Sequence, residues 1–268
     1  MVLSRHMTSV GPRWALDGRW LPQGLSLTPL LALPLARLQE ALRALVSEEP
    51  AEGPVLAPVE ADWEVWASGV TYRRSREARE RESVVKDVYE RVYEAERPEL
   101  FFKAVGWRVV GPGGGVRVRQ DSHWTVPEPE VALLVNARGE IMGYTVGNDM
   151  SARDIEGENP LYLPQAKVYE GACALGPGIR LGLPTFLRVR MEILREESRV
   201  FYGESSTEEM HRTFQDLISW LFRELSFPKG VYLMTGTGIV PPDEFSLRTG
   251  DRIRIWVEDL CLENTVEA

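Results

Sequence analysis

Hydrophobic positions recur along the chain in two rhythms. In LARLQEALRALV (35–46), Leu35, Leu38, Leu42 and Val46 fall three or four apart, which gathers them on one face and predicts an amphipathic helix. Before it, short apolar stretches flank Asp17-Gly18 in RWALDGRWL and predict a hairpin. SEEPAEGPVLAPVEAD (47–62) mixes Pro, Gly and charge without periodicity, as a linker does. These features set off residues 1–60 as a small N-terminal accessory domain with its linker, leaving 61–268 as the main domain.

In the main domain WEVWASGVTY (63–72) reads as a strand and RRSREARERESVVKDVYERVYEAE (73–96) as a long charged helix or helix pair. Val84, Val88 and Val92 at four-residue spacing give that segment a core-facing stripe. Arg97-Pro98 ends it, because the residue before proline avoids the helical region. From Leu100 onward strands dominate. EVALLVNA and EIMGYTVGN flank Arg138-Gly139 and predict a hairpin, and FLRVRMEIL with RVFYG predicts a second strand pair. One helix interrupts them. Ser206 with Glu209 fits a capping box, and Met210, Phe214, Leu217, Ile218, Leu221 and Leu225 supply a buried face. GVYLMTGTGIV and DRIRIWVEDL return to strand. The fold class expected is a β-rich α+β protein, with mixed or antiparallel sheets rather than regular βαβ alternation.

Composition narrows the function classes. At 268 residues with 44% hydrophobic and 26% charged positions, the chain can bury a full core without a disulfide or structural metal. A net charge of −9 argues against a nucleic-acid partner, which would need a basic excess. Cys173 and Cys261 lie far apart without metal-ligand spacing and read as small buried residues in a reducing compartment. The most apolar stretch, LSLTPLLALPLA (25–36), is short, interrupted by Pro29 and Pro34, and too far in for a signal-peptide core. A cytoplasmic protein without membrane attachment is expected.

The chemistry concentrates between Val126 and Ile179. VPEPEVALLV places Glu128 and Glu130 two apart at the mouth of a strand, so both face one spot. The partner strand ends in GYTVGND, and the hairpin returns Asp149 towards them. Three carboxylates on strand ends suit a hard cation, Mg²⁺ or Mn²⁺, with positions open to water or substrate. An isolated ExE is more often a pair of solvated charges at a strand start. The following loop, SARDIEGENPLYLPQAKVYEGACALGPGI, adds Arg153, Asp154, Glu156, Glu158, Gln165 and Lys167 between Gly and Pro residues. Lone lysines are normally exposed, but Lys167 stands among small and apolar neighbours where burial could tune it. Glu99 is either a helix-end charge or a general acid. The arginine run at 73–81 reads as a solvated helix face from whose start Arg73 or Arg74 could reach a substrate carboxylate. GPGGG (111–115) lacks the Lys-Ser/Thr of a phosphate loop and reads as a turn.

The run VPEPE…GYTVGNDMSARDIEGENPLYLPQAKVYEGACALGP resembles the fumarylacetoacetate hydrolase superfamily, and the likeness covers about residues 60–268. The resemblance implies a mixed β-sheet roll, a Mg²⁺ or Mn²⁺ ion held by Glu128, Glu130 and Asp149, and a homodimer acting on a small-molecule 2-oxo acid. It gives Lys167 a catalytic role and makes the TGTG turn (235–238), with Thr237, a substrate contact; Arg73, Arg153 and Gln165 are added as candidate substrate contacts from the residues themselves. The wording IEGENPLYLPQAKVY is most similar to the branch that dehydrates 2-keto-3-deoxy sugar acids, such as 2-keto-3-deoxy-D-arabinonate. For that reaction Lys167 is the candidate base or enolate partner, and Glu99 or a metal-ordered water the candidate acid. One departure bears on the reaction. Hydrolases of the family carry a catalytic His after a GxNY-like strand end, where this chain has GVTYRRSREARE. His6 and His211 are expected to be structural or exposed, and His123 to be a surface or supporting residue. Rival readings are C–C bond hydrolysis, decarboxylation or isomerisation on the same scaffold, and a catalytically silent metal-binding protein.

Overall fold

Alternating apolar positions put most of the chain into strands. In the computed structural model, which describes residues 1–82 and 86–268, the first sixty residues form β1 (Val2–Thr8), β2 (Gly11–Leu16), β3 (Arg19–Trp20), α1 (Leu35–Leu45) and β4 (Val55–Leu56). Then come β5 (Glu64–Gly69), α2 (Arg73–Glu82), α3 (Lys86–Glu94), β6 (Glu99–Val105), β7 (Gly115–Arg117) and β8 (Thr125–Val126). The hairpin of β9 (Pro129–Val135) and β10 (Ile141–Asp149) leads into β11 (Ser151–Ala152), α4 (Arg153–Glu158), α5 (Leu163–Lys167) and β12 (Cys173–Leu181). The remainder comprises β13 (Arg188–Arg195), β14 (Ser198–Ser206), α6 (Phe214–Leu221), β15 (Val231–Met234), β16 (Arg252–Val257) and β17 (Leu260–Glu267).

One mixed sheet runs β3-β2-β1-β12-β10-β9-β15-β5-β6, with β4 beside β1. A second runs β14-β13-β16-β17-β7. This is the β-rich α+β class expected. Strand β9 lies at the centre and is buried over its whole length. Val131, Leu133 and Val135 face the core shared with Met191, Ile193 and Ile255 of the second sheet. Ala132 and Leu134 face the opposite core with Trp63, Tyr232 and the N-terminal leucines. A strand buried on both sides needs apolar residues at every position, and each buried Leu is worth roughly 1.5–3 kcal/mol.

The N-terminal sixty residues do not stand apart as an accessory unit. β1 pairs antiparallel with β12, and Leu3, Trp14, Leu38 and Leu42 share the core that holds Trp63 and Leu134. The expected linker is docked too. β4 pairs with β1, and the Glu60 carboxylate accepts from Leu27 N–H (2.6 Å), Ser26 Oγ (2.6 Å) and Trp14 Nε1 (3.2 Å). Its Pro and Gly residues break periodicity without making it free.

The hairpin at Asp17-Gly18 forms with φ of 47° and 75°, and Gly139 at φ 77° turns β9 into β10. The charged segment divides into α2 and α3. Of its expected stripe, Val84 lies outside the described residues, Val88 is half-buried, and Val92 packs beside the buried Tyr89 and Tyr93. The capping box at Ser206 and Glu209 is present but closes only a single 3₁₀ turn (Thr207–Glu209). Met210 is then extended, and α6 begins afresh behind a second cap, Thr213 Oγ1 accepting from Asp216 N–H. Leu225 lies beyond its end and is exposed. Among the described residues no helix is long and apolar enough to cross a membrane.

Candidate active site

The register of β9 against β10 places Glu130 opposite Gly147 and Pro129 opposite Asn148. One step further, Asp149 donates its N–H to the Glu128 carbonyl (3.0 Å). Positions two apart share a face, so Glu128, Glu130 and Asp149 project to the same side. All three are buried, and one oxygen from each lies within 4.8 Å of the others. The turn after β15 supports them from the neighbouring strand, with Gly236 N–H donating to Glu130 Oε2 (2.6 Å). Burial first, then the charges of Asp149 and Glu128, push the Glu130 carboxyl well above the ordinary 4.5.

Four cations surround this cluster. From α2, Arg79 Nη2 reaches Glu128 Oε1 (2.8 Å), and Arg153 Nη2 approaches the same oxygen (3.2 Å). Lys167 ends α5 with Nζ 2.8 Å from Glu128 Oε2 and 3.1 Å from Asp149 Oδ2. Burial alone would lower the Lys167 pKa, but the carboxylates of Asp149, Glu128 and Glu156 outweigh it and raise it. Lys103 pairs with Asp149 Oδ1 from the other side.

Glu99 enters from the start of β6, opposite Gly69 on β5. Gly69 leaves room for that carboxylate, since a Cβ there would sit 2.0 Å from Glu99 Oε2 and push it aside. Glu99 is half-buried, and its carboxyl is pushed up to about 7, by burial first and then by repulsion from Glu156. Glu156 goes the other way. Burial would raise its pKa, but the Arg79 guanidinium (Nε to Oε1, 3.1 Å), Lys167 and the Ser151 hydroxyl (2.8 Å) hold it below the usual range. The next residue on β5's path, Val70, has φ 54°, a sparsely populated conformation for a β-branched side chain. Packing on Tyr89 and Tyr93 and the Thr71 Oγ1 bond to the Thr235 carbonyl (2.7 Å) fix this turn against the 235–238 segment.

The structure thus brings Glu99, Glu128, Glu130, Asp149, Arg153 and Lys167 together, and Thr237 lines the same pocket with its hydroxyl bonded to the Ile239 backbone. It does not bring Arg73 or Gln165 there. The Arg73 side chain is 77% exposed and bonds Glu77 one turn along, because α2 turns Ser75, Ala78 and Arg79 inward instead. Gln165 is exposed, since in α5 it is Ala166 and Lys167 that face in. His123 is 90% exposed on Asp154, His6 is buried beside Trp20, and His211 stacks on Tyr93. Sequence reasoning missed Arg79 and Lys103 and left Glu156 without a role. A signal existed for Arg79: Ser75 and Ala78 are the small residues of an otherwise bulky charged helix, and they mark the face that approaches the sheet closely.

The donor set consists of oxygens alone, which fits a hard divalent cation rather than a soft one. Five carboxyls (Glu99, Glu128, Glu130, Asp149, Glu156) against four cations leave one net negative charge when all are ionised. A divalent ion together with a monocarboxylate ligand would neutralise it.

Comparison with known proteins agrees with this geometry. The family described as fumarylacetoacetate (FAA) hydrolase C-terminal matches residues 64–267. A probable 2-keto-3-deoxyxylonate dehydratase of Haloferax volcanii is 47% identical over 214 residues, 78% of this chain and 73% of that protein. The 2-dehydro-3-deoxy-D-arabinonate dehydratase of Saccharolobus solfataricus is 44% identical over 205 residues, 74% and 69% of the two chains. A solved structure of 2-keto-3-deoxy-D-arabinonate dehydratase, complexed with magnesium and 2,5-dioxopentanoate, superposes with a TM-score of 0.84 at 34% identity, covering 100% of this chain and 99% of that one. This chain belongs to the fumarylacetoacetate hydrolase family.

Proposed function

We propose that this protein is a Mg²⁺- or Mn²⁺-dependent hydro-lyase that removes water from a 2-keto-3-deoxy sugar acid, with a five-carbon substrate giving 2,5-dioxopentanoate. One observation carries the reading. Glu128, Asp149, Lys167 and Glu99, whose carboxyl is pushed towards neutrality, line one pocket with the buried Glu130 beside them, and none of the three histidines lines it. The dehydratase names of the 47% and 44% identical relatives support the same substrate class. A homodimer in the cytoplasm belongs to this proposal, and the two unpaired cysteines suit that compartment.

A divalent ion held by Glu128, Glu130 and Asp149 would supply Lewis-acid polarisation of the 2-oxo group and so acidify C3–H. Lys167 takes the C3 proton as its free amine, a state that a divalent cation on Glu128 and Asp149 would favour by offsetting the charges that otherwise hold it protonated. Glu99 supplies the proton with which the C4 hydroxyl leaves as water. The first product is 5-hydroxy-2-oxopent-3-enoate, and its tautomerisation gives the 2,5-dioxo acid. Hydrolysis of a C–C bond would instead need a positioned base to activate water, a task suited to His near neutral pH. With Mg²⁺, purified protein should convert 2-keto-3-deoxypentonates to 2,5-dioxopentanoate and release no pyruvate from acylpyruvates. Efficient acylpyruvate cleavage without dehydration would refute the proposal.

A pH dependence follows from Glu99. The acid must be protonated, so kcat/KM should fall as pH rises through its pKa, which is about 7 without metal and lower once a cation is bound nearby. Glu99→Gln keeps an N–H donor but has no proton to give up. It should lose about 10²–10⁴-fold in kcat and show no such alkaline limb. A variant keeping both the rate and the limb would assign the acid elsewhere.

A further inference from the structure

We infer that Lys103 is a positioning residue for the metal centre, fixing the carboxylate of Asp149 so that Oδ2 alone is presented to a cation. The inference rests on the metal reading above but concerns a residue to which that reading gives no part. Lys103 lies on β6 where the register against β5 slips: Ala104 pairs with Val65 and Phe102 with Trp66, leaving Lys103 as the extra residue. Such a bulge re-aims one side chain out of the ordinary alternation. Here it sends an ammonium, 1% exposed as a residue, beneath the site.

Three oxygens from separate points meet its Nζ. Asp149 Oδ1 is an ion-pair partner, lying close but without the alignment of a hydrogen bond. The Met150 carbonyl (3.1 Å) and the Lys167 carbonyl (2.5 Å) accept from it. An ammonium has three donors and burying it is costly unless it is paired, so this arrangement suits a tether between the end of β10 and the end of α5. The two lysines divide the carboxylate between them. Lys103 takes Oδ1, while Lys167 lies 3.1 Å from Oδ2, on the side shared with Glu128. Ligand carboxylates of metal sites are commonly oriented by such partners, whose loss lowers metal affinity or activity about 10–100-fold.

The sign of one measurement separates positioning from simple charge. Removing a cation beside a metal site should tighten metal binding if only electrostatics acts. Lys103→Met should instead weaken Mn²⁺ binding at least about 10-fold in the absence of substrate, with far-UV circular dichroism unchanged. A folded Lys103→Met protein that binds Mn²⁺ as well as or better than the parent overturns the inference. Should that variant fail to fold, a crystal structure of the parent with Mn²⁺ decides. Asp149 bound through Oδ2 with Lys103 still on Oδ1 supports it, and an Oδ1-bound ion with Lys103 displaced overturns it. A parent protein that binds no Mn²⁺ defeats the metal reading itself, and this inference with it.

Discussion

Glu130→Gln should cut turnover by at least about 10³-fold while leaving the metal-free protein as stable as the parent, or more so. A metal ion contributes several kcal/mol of transition-state stabilisation, and each 1.36 kcal/mol is tenfold in rate, so losing one of three ligand charges justifies that magnitude. The stability arm follows from the surroundings of this residue. Its oxygen accepts the Gly236 N–H, which an amide oxygen can do equally well, while its charge faces those of Asp149 and Glu128. The folded carboxyl holds its proton at pH values where the unfolded one has already lost it. The metal-free parent should therefore lose stability as pH rises from about 4.5 through the raised folded value, and Glu130→Gln should lack that loss. For a chain of this size each kcal/mol recovered would appear as roughly 2–4 °C in Tm. Melting curves in chelator between pH 4 and 8, beside Mn²⁺ titrations, check both arms. Unchanged Mn²⁺ affinity in the variant would remove Glu130 from the ligand set.

Lys167→Met should lower kcat by about 10²–10⁴-fold, the usual span for a positioned proton carrier. Its Nζ competes for the oxygens of Glu128 and Asp149 that a cation would also use. Mn²⁺ affinity should accordingly hold or improve, the opposite of what Lys103→Met is expected to do. Two buried lysines about one aspartate would thus be told apart by a single binding measurement. Wild-type kcat within tenfold in Lys167→Met would end its assignment as the base.

The parts of this site legible in the sequence are those set by local rules. The i, i+2 spacing of Glu128 and Glu130 and the hairpin through Gly139 are enough to bring Asp149 back to them. Arg73 and Gln165 were misplaced because helix rotation decides which side chains turn inward, and a run dense in arginine hides its own phase. Lys103 was illegible for another reason. Alternation along LFFKAV gives no sign of where a strand slips register, and the slip is what re-aims the lysine. The expected domain boundary near residue 60 rested on broken periodicity, whereas the docking of that segment rests on Glu60 and its partners far along the chain.

The continuity of the large sheet bears on how this chain can be shortened. Residues 64–267 match the family, yet cutting at residue 61 would remove β1 from the side of β12. β12 also pairs with β10, with Cys173 opposite Asp149, so the bared edge would lie one strand from the clustered carboxylates. Unpaired N–H and C=O groups along a long strand invite edge-to-edge association. The same cut would uncover Trp63 and Leu134, which Trp14 and the N-terminal leucines now cover. A fragment trimmed to the family boundary should be recovered as aggregate, and N-terminal fusion partners should be joined ahead of Val2, never in place of the strand that starts there.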